Sequence, residues 1–336
     1  MSAGTSTAVL RLGTRRSALA TAQSQQVADA LRALGAEVEL VGVTTAGDRS
    51  AAHDVVLADT VGAGVGVFVT ELRAQLLAGE VDLVVHSLKD LPTAAADRLV
   101  VAAIPRREDP RDALVSASGA RLAELPAGAI VGTGAPRRVA QVRALRPDLD
   151  VRPIRGNVDT RLAKLAAGDF DAVVLAAAGL ARLGRLGEAS EIFAAGLIVP
   201  APGQGALAIE CRESDLARGG RLAGLLEGLD DPDTRAAVTA ERTLLAELEA
   251  GCTAPVGGYA EVAADRTLHL VGNVVSVDGV TAIRRSITGS ASQAQDLGRR
   301  LAAELFAAGA ATVIGDRPSA SQTENSRDLQ DRTGRR

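Results

Sequence analysis

Residues 197–205 read LIVPAPGQG, and this stretch decides how the chain is divided. Two prolines and two glycines in nine residues interrupt any regular helix or strand, so the stretch is predicted to be a connection. Residues 105–112 (PRREDPRD), charged and interrupted by proline, form a second connection of this kind. Two such connections predict a chain that leaves a first domain, builds a second, and returns. Two lobes with a cleft between them follow from this path.

Around the two connections, short apolar runs alternate with longer helical stretches. The predicted strands are residues 9–12, 37–43, 81–85, 129–131, 151–154 and 172–175, and helices are predicted at 17–34 and 70–78. This rhythm is typical of open, mostly parallel sheets flanked by helices. Only 1% of the residues are aromatic, so the core must consist of Ala, Val, Leu and Ile, which suits such sheets. We therefore predict an α/β fold for both lobes.

From about residue 233 the pattern changes. A predicted helix at 234–250 is followed by strands near 259–262, 268–277 and 281–287 and by a helix at 292–308. Strands grouped before a closing helix predict a small α+β domain. The expected division is domain 1 (1–105 and 201–222), domain 2 (106–200), domain 3 (223–315) and a polar tail (316–336) that is expected to be disordered.

The composition excludes several classes of protein. The net charge of −4 shows no footprint of nucleic-acid binding, and no run of about 18 apolar residues could span a membrane. Two cysteines indicate a reducing compartment, and the N-terminus lacks the pattern of a secretory signal, so a cytoplasmic location is expected. The three histidines are scattered without metal-ligand spacing, so no metal site is expected.

Basic side chains follow five of the predicted strands, where ligands bind in open α/β sheets. They are Arg15 and Arg16, Lys89, Arg137 and Arg138, Arg155 and Arg161, and Arg182. Each group lies at or near a predicted helix N-terminus, where free N–H groups favour anions. Any single arginine could be an ordinary surface residue, but five converging loops favour a cleft that holds several carboxylates or phosphates.

Asp90 is a carboxylate among these cations. It could be an ion-pair partner of Lys89 or of an arginine. Alternatively, it stabilises positive charge that develops on a ligand, or it moves a proton.

The two cysteines differ in their surroundings. Cys211 lies in the apolar run ALAIECR, which is typical of a core strand. Cys252 lies in GCTAPVGG directly after a long helix, where it could be a small buried residue or an accessible thiol on a loop.

The loops taken together resemble the porphobilinogen deaminase family, in the family's order. The matching stretches are LRLGTRRSALA (10–20), VHSLKDLP (85–92), EDPRDALV (108–115), GTGAPRR (132–138), RGNVDTRLAKL (155–165), APGQGALAIECR (201–212) and GCTAPVGGYA (251–260). The likeness reaches from residue 10 to about residue 315. No single stretch would be specific, but the set is.

The resemblance implies a fold and an activity. The fold would be two periplasmic-binding-protein-like lobes with mostly parallel sheets plus a small α+β C-terminal domain. The activity would be hydroxymethylbilane synthesis from four porphobilinogen molecules with release of ammonia, in haem biosynthesis. The cofactor would be a dipyrromethane joined through a thioether to Cys252. Members are typically monomers, and we expect no obligate protein partner and no membrane or nucleic-acid partner.

The resemblance also assigns roles to residues. The cofactor would be held by Cys252, Ser87, Lys89, Asp90, Thr133, Arg137, Arg138 and Arg155. Substrate would be bound by Arg15, Ser17, Arg155, Arg161 and Arg182, and Asp90 would be the catalytic carboxylate facing the pyrrole N–H groups.

The sequence departs from the family pattern in two places. Thr133 is followed by Gly134, Ala135 and Pro136 instead of two serines and a leucine, which removes two possible hydroxyl contacts with the cofactor. The glycine-rich segment 61–68 (VGAGVGVF) lacks the usual lysine, although we expect it to form a lid loop.

Two alternatives remain. A non-catalytic module that binds a polycarboxylate would also have two lobes and a cationic cleft, but it would not explain Cys252 in a separate small domain. A degenerate deaminase that binds without turnover is disfavoured by the presence of both Asp90 and Cys252.

Overall fold

The computed structural model describes residues 9–43, 63–217, 220–249 and 254–315. The strands are β1 (Leu10–Arg15), β2 (Val38–Val43), β3 (Leu83–Ser87), β4 (Leu99–Ala103), β5 (Asp112–Ser116), β6 (Ile130–Gly132), β7 (Asp150–Arg152), β8 (Ala172–Ala176), β9 (Glu191–Ile192), β10 (Leu207–Arg212), β11 (Val256–Val262), β12 (Thr267–Val275) and β13 (Ala282–Ser290). The predicted tail 316–336 lies outside the described residues.

The described α-helices are α1 (Ala18–Ala33), α2 (Ala63–Leu77), α3 (Pro136–Leu145), α4 (Val158–Ala166), α5 (Ala177–Arg182), α6 (Glu213–Ala217), α7 (Arg221–Leu229), α8 (Pro232–Glu247), α9 (Ala294–Ala307) and α10 (Ala310–Ile314). A short 3-10 turn, Leu88–Asp90, follows β3 directly. None of these helices combines the length and the apolar character needed to cross a membrane.

The first two sheets share one topology. The strand orders are β2-β1-β3-β10-β4 and β7-β6-β8-β5-β9. In each sheet three neighbouring strands pair in parallel, and the fourth strand in the order is antiparallel to both of its neighbours. The inverted strands are β10 and β5, so four of the five strands in each sheet point the same way. The prediction of mostly parallel α/β sheets is confirmed.

The inverted strands are explained by the path of the chain. The first crossing segment (residues 104–111) leaves β4 in the first sheet and enters β5 in the second. The second crossing segment (residues 193–206) leaves β9 and re-enters the first sheet at β10, between β3 and β4. Both crossing segments occur where the prolines and glycines predicted connections.

The crossing segments contact each other and the third domain. Glu108 N donates to Gly205 O at 3.3 Å, and Gly205 has φ +87° with no room for a Cβ beside the Glu108 carbonyl. The fully buried Glu241 of α8 accepts from both terminal nitrogens of Arg107 at 2.6 and 3.0 Å. The same carboxylate accepts from Gly203 N at 2.7 Å. One buried anion therefore ties both crossing segments to α8.

The third domain is a three-stranded antiparallel sheet, β11-β12-β13, covered by α8 and α9. Leu244 of α8 and Leu297, Leu301 and Leu305 of α9 are all fully buried in one core with Leu270 of β12. The spacing 297, 301, 305 places these leucines on one helix face. The predicted small α+β domain is confirmed.

Helix α7 lies at the predicted boundary between the first and third domains, where the sequence places the start of the third domain at residue 223. However, Leu225 and Leu226 of α7 pack in the same core as Leu12 and Leu31 of the first lobe. We infer that the first domain extends through α7, to Leu229.

The expected lid loop is wrong from residue 63 onward, because α2 begins at Ala63. Gly64 and Gly66 have low helix propensity and indicated a loop. The helix is fixed further along, where Val69, Leu72 and Leu76 are buried at helical spacing. Residues 61 and 62 of the segment lie outside the described part of the chain.

Candidate functional site

The two lobes meet through the loops at the carboxyl ends of their parallel strands. The first lobe contributes Arg15 at the end of β1 and the Leu88–Asp90 turn after β3. The second lobe contributes the first turn of α3 and, after β8, the helix α5. Helix starts fix two of these loops: the Ser17 side chain caps α1, and Pro136 opens α3 at a position where its missing N–H costs nothing.

A buried network of charged and polar groups lies at the junction of the lobes. Arg137 Nη1 donates to Asp112 Oδ2 at 2.6 Å, and Arg138 donates to Asp112 Oδ1 from Nε at 3.0 Å and from Nη2 at 2.8 Å. Gln204 Nε2 donates to the same Oδ1 at 2.8 Å. Gln204 Oε1 in turn accepts from Arg137, Arg138 and Lys89, each at 3.4 Å. Lys89 of the first lobe and the two arginines of the second thus share one amide.

This network carries an excess of positive charge. Lys89, Arg137 and Arg138 supply three cations, whereas Asp112 is the one carboxylate hydrogen-bonded within this network, and the exposed Asp90 carboxylate attracts Lys89 from outside it. Burial would raise the pKa of Asp112, but attraction to Arg137 and Arg138 and hydrogen bonds from Arg137 and Gln204 hold it far below its usual range. Burial lowers the pKa of the Arg138 guanidinium despite the attraction of Asp112. Uncompensated buried cations are costly, so the site is built to be completed by an anionic ligand.

Arg161 and Arg182 also approach this junction with hydrogen-bonding capacity to spare. Arg161 Nε donates to Gly156 O at 2.8 Å, and its pKa is lowered by burial and by the nearby Arg138. Arg182 Nη2 donates to Gly205 O at 2.7 Å across the lobes. Its Nε is buried with no hydrogen-bond partner among the described residues, and burial lowers its pKa. An unsatisfied buried donor on a cation points to a missing acceptor.

The other residues predicted to bind cofactor or substrate differ in their exposure and in their hydrogen-bond partners. Arg155 is exposed and forms no ion pair within the described ranges. Ser87 Oγ accepts from Gln23 Nε2 at 2.8 Å, and Ser17 Oγ accepts from Ala20 N at 3.4 Å. Thr133 is fully buried, and its hydroxyl accepts from Ala135 N at 3.4 Å, so its contact with the cofactor stays a prediction.

Asp90 is exposed at the end of its turn, beside the cationic network. Its carboxylate forms no hydrogen bond or ion pair within the described part of the chain, but it attracts the Lys89 ammonium and opposes the lowering of the pKa of Lys89. Asp90 is therefore an electrostatic neighbour of Lys89 that is not bonded to it. Cys252 lies outside the described residues, and its role stays a prediction.

The departure from the family pattern at Gly134 has a structural reason. A Cβ at this position would lie 2.8 Å from the Ile154 carbonyl oxygen. The loops after β6 and β7 therefore approach more closely than a serine there would allow.

Two residues of the site were missed by the sequence reasoning, Asp112 and Gln204. Both lie within stretches that carry the family resemblance, EDPRDALV and APGQGALAIECR, but neither received a role. Their pairings join residues far apart in sequence, 25 positions for Asp112 with Arg137 and 92 for Asp112 with Gln204. The one sequence signal for Asp112 is that it is a carboxylate near loops that carry many arginines, where an ion pair is expected.

The fold and the site define a two-lobed α/β protein whose cationic junction suits a ligand with several carboxylates. Two family models match the chain. The dipyrromethane cofactor binding domain of porphobilinogen deaminase matches residues 10–218, and the C-terminal domain of porphobilinogen deaminase matches residues 235–307. The chain belongs to the porphobilinogen deaminase family.

Individual relatives agree with the family models. The porphobilinogen deaminase of Acidothermus cellulolyticus is 63% identical over 94% of this chain and 93% of its own length. That of Mycobacterium tuberculosis is 54% identical over 91% of this chain and 98% of its own length. The predicted family, the transferase activity in tetrapyrrole biosynthesis and the dipyrromethane cofactor are thereby confirmed. The alternative of a non-catalytic binding module is not favoured.

Solved structures that resemble the chain are more distant. A nutrient binding protein from Burkholderia cenocepacia bound to methionine has a TM-score of 0.39 at 13% identity, covering 65% of this chain and 90% of that one. The alkanesulfonate-binding protein SsuA from Xanthomonas axonopodis pv. citri has a TM-score of 0.37 at 18% identity, covering 73% and 76%.

The Lys89 ammonium gives a testable pH dependence. Burial lowers its pKa from 10.5 to about 8, against the attraction of Asp90. Because the unfolded chain then binds more protons between pH 8 and 10.5, the stability contributed by this group is present above 10.5 and lost as the pH falls through 8. The measurement is urea unfolding of the Cys252→Ser protein with and without Lys89→Met. The free energy of unfolding with Lys89, minus that with Lys89→Met, should rise by about 2–3 kcal/mol as the pH increases from 8 to 10.5.

The matched control is Lys164→Met, which removes the only other lysine of the chain, at the last turn of α4. A free-energy difference for Lys89→Met that stays flat over the window, or that equals the difference for Lys164→Met, would contradict the assignment.

Proposed function

We propose that the residues at the lobe junction perform the porphobilinogen deaminase reaction, in which four porphobilinogen molecules condense with release of ammonia and water cuts the tetrapyrrole free as hydroxymethylbilane. The observation that carries the assignment of roles is the net positive charge of the buried network around Asp112. Each porphobilinogen brings an acetate and a propionate, so a growing chain of pyrroles supplies the anions that this network needs.

The residues present fit a bound dipyrromethane. Arg137, Arg138 and Lys89 would hold its carboxylates, and the exposed Arg155 is assigned to the same carboxylates. Ser87 and Thr133 are the nearby hydroxyls assigned to the same group. Attachment would be through the Cys252 thiol. The dipyrromethane, when bound, supplies the free pyrrole carbon to which the first substrate molecule is joined.

The substrate carboxylates are assigned to Arg15, Ser17, Arg161 and Arg182, with Arg155 shared. Support comes from Arg182, whose buried Nε has no acceptor among the described residues. Further support comes from Arg161, whose own pKa is lowered by burial and by the nearby Arg138. Each arginine can orient a planar carboxylate through two parallel hydrogen bonds. Substrate is thus positioned by its side chains, and the reacting carbon stays free.

Asp90 is proposed to act on the ring itself. The aminomethyl group of porphobilinogen reacts in its protonated, ammonium form: its C–N bond breaks, ammonia leaves with the bonding electrons, and a cation remains on the substrate pyrrole. The free Asp90 carboxylate accepts a hydrogen bond from the pyrrole N–H and stabilises this cation while the new C–C bond forms and the attacked pyrrole carbon loses its proton. The surrounding cations disfavour the same species, so one well-placed carboxylate has large leverage on the rate.

The domains are 1–105 with 201–229, 106–200 and 230–315, the boundary at Leu229 following the packing of α7. The two-cysteine composition supports a cytoplasmic location. Porphobilinogen is the only partner the site requires, with no obligate protein partner.

Intact mass spectrometry tests the proposal. The purified protein should exceed its sequence mass by roughly two pyrrole units and turn red in an acidic aldehyde reagent. Cys252→Ser should carry no excess mass. Cys211→Ala is the matched control and should keep the full excess, because Cys211 is buried in the first core and its pKa is raised to about 11 by burial. An unmodified wild-type chain that stays unmodified after incubation with porphobilinogen would overturn the proposal.

A further inference from the structure

The Leu88–Asp90 turn is held from outside its own lobe. Arg242, on the third-domain helix α8, donates from Nη1 to Leu88 O at 3.2 Å and to Leu91 O at 3.0 Å. Its Nη2 donates to Pro92 O at 2.6 Å. One guanidinium therefore binds three backbone carbonyls on both sides of Asp90. A planar fork with several donors can do this, whereas an ammonium could not reach all three in fixed geometry.

The position of the Asp90 carboxylate depends on this turn. No side chain in the described ranges bonds the carboxylate, so its place is set by the backbone that carries it. Within the lobe the turn is fixed by Leu88 N, which donates to Ala206 O at 3.0 Å, and by burial of the Leu88 and Leu91 side chains. These contacts fix the first residue of the turn and the two side chains that anchor it in the core. The carbonyls beyond Asp90 are bonded to α8.

The same helix leads to the proposed site of cofactor attachment. Helix α8 ends at Glu247, and Cys252 follows Arg242 by ten residues in the sequence. The residue before Arg242 is Glu241, the buried anion that ties both crossing segments to α8. Helix α8 is therefore bonded to both crossing segments through Glu241 and to the Leu88–Asp90 turn through Arg242.

We infer that Arg242 is a positioning residue for the condensation, fixing the Asp90 turn to the helix that carries the cofactor-attachment segment. The inference rests on the role proposed above for Asp90. Arg242 touches neither substrate nor cofactor in this assignment and acts through the backbone of the turn. Misplacing a catalytic group by about 1 Å can cost on the order of 100-fold in rate, so loss of the three hydrogen bonds should appear mainly in kcat.

The test uses Arg242→Met, Arg242→Lys and a matched control, Arg235→Met, in the holoenzyme. Arg235 lies two helical turns earlier on the same face of α8 and also reaches the first lobe, where Nη2 donates to Ala102 O at 3.1 Å, away from the turn. Arg242→Met should lower kcat by about 10- to 100-fold with KM changed less than about 3-fold. Arg242→Lys should recover part of the loss. Arg235→Met should keep kcat, and intact mass should show full cofactor loading in all three.

A double-mutant cycle with Asp90→Asn separates positioning from a general structural effect. If Arg242 acts through Asp90, Arg242→Met should change the residual kcat of Asp90→Asn by less than about 3-fold. The same fold loss in both backgrounds, or an equal loss from Arg235→Met, would overturn the inference. A near-normal rate for Asp90→Asn alone would instead refute the proposed role of Asp90, and so the two failures are distinguishable.

Discussion

Asp90→Asn should lower kcat by on the order of 1,000-fold while leaving cofactor loading, KM and thermal stability close to those of the wild type. Asparagine fills the same space but brings no negative charge to the cation formed when ammonia leaves. Because the carboxylate is exposed and accepts no hydrogen bond in the described part of the chain, its removal leaves no donor there unsatisfied and takes away only its attraction for the Lys89 ammonium. The measurement is the rate of ammonia release at saturating porphobilinogen, alongside intact mass.

Asp97→Asn is the matched control for that experiment. Asp97 lies in the connection that follows the Leu88–Asp90 turn, and its side chain is 94% exposed beside Arg98. The control should leave the rate unchanged. A rate for Asp90→Asn within about tenfold of the wild type would mean that the catalytic charge is supplied elsewhere.

Asp112→Asn should have the largest effect on stability. It would leave the buried guanidinium groups of Arg137 and Arg138 facing a neutral amide, and removing one partner from a buried charge network costs about 3–5 kcal/mol. Part of this loss should be regained when a multivalent anion such as pyrophosphate occupies the site. The measurement is urea unfolding of the Cys252→Ser protein, with and without Asp112→Asn, in pyrophosphate and in chloride of equal ionic strength.

The matched control is Asp148→Asn, which breaks the exposed ion pair with Arg146. Its effect on the free energy of unfolding should be much smaller and should not depend on the type of anion. An Asp112→Asn protein as stable as the wild type in chloride would show that the network does not need its carboxylate.

Much of the fold was accessible from the sequence because the signals were local. The apolar runs of β1, β2, β3 and β8 and the proline and glycine content of the crossing segments depend only on neighbouring residues. Strand β4 was missed, although its sequence LVVAA is apolar, because it lies next to the first crossing segment without a following helix to complete the rhythm. The helical start of α2 was missed because its stability comes from packing further along the helix, which propensity does not report.

Part of the candidate site could also be predicted from the sequence. Strand ends and helix starts identify which cations converge, and the structure joins Lys89, Arg137 and Arg138 through Gln204 as that argument requires. The partners that organise those cations could not be read from the sequence. Asp112, Gln204 and Arg242 act across the lobes or the third domain, and their pairing is a property of the folded arrangement rather than of any short stretch.

The inverted strand β10 has a consequence for the order in which the protein is made. It lies between β3 and β4, yet it is synthesised after the whole second lobe. A nascent chain that ends before residue 207 therefore lacks the central pairing of its first sheet, whereas every strand of the second sheet lies between residues 112 and 192. On the ribosome the second lobe can fold as a contiguous unit before the first sheet is complete. Until β10 is synthesised, β3 and β4 each lack the partner that pairs with them in the folded protein. An N-terminal fragment that stops at the first crossing segment should aggregate through these unpaired strand edges, and a fragment of the second lobe should not.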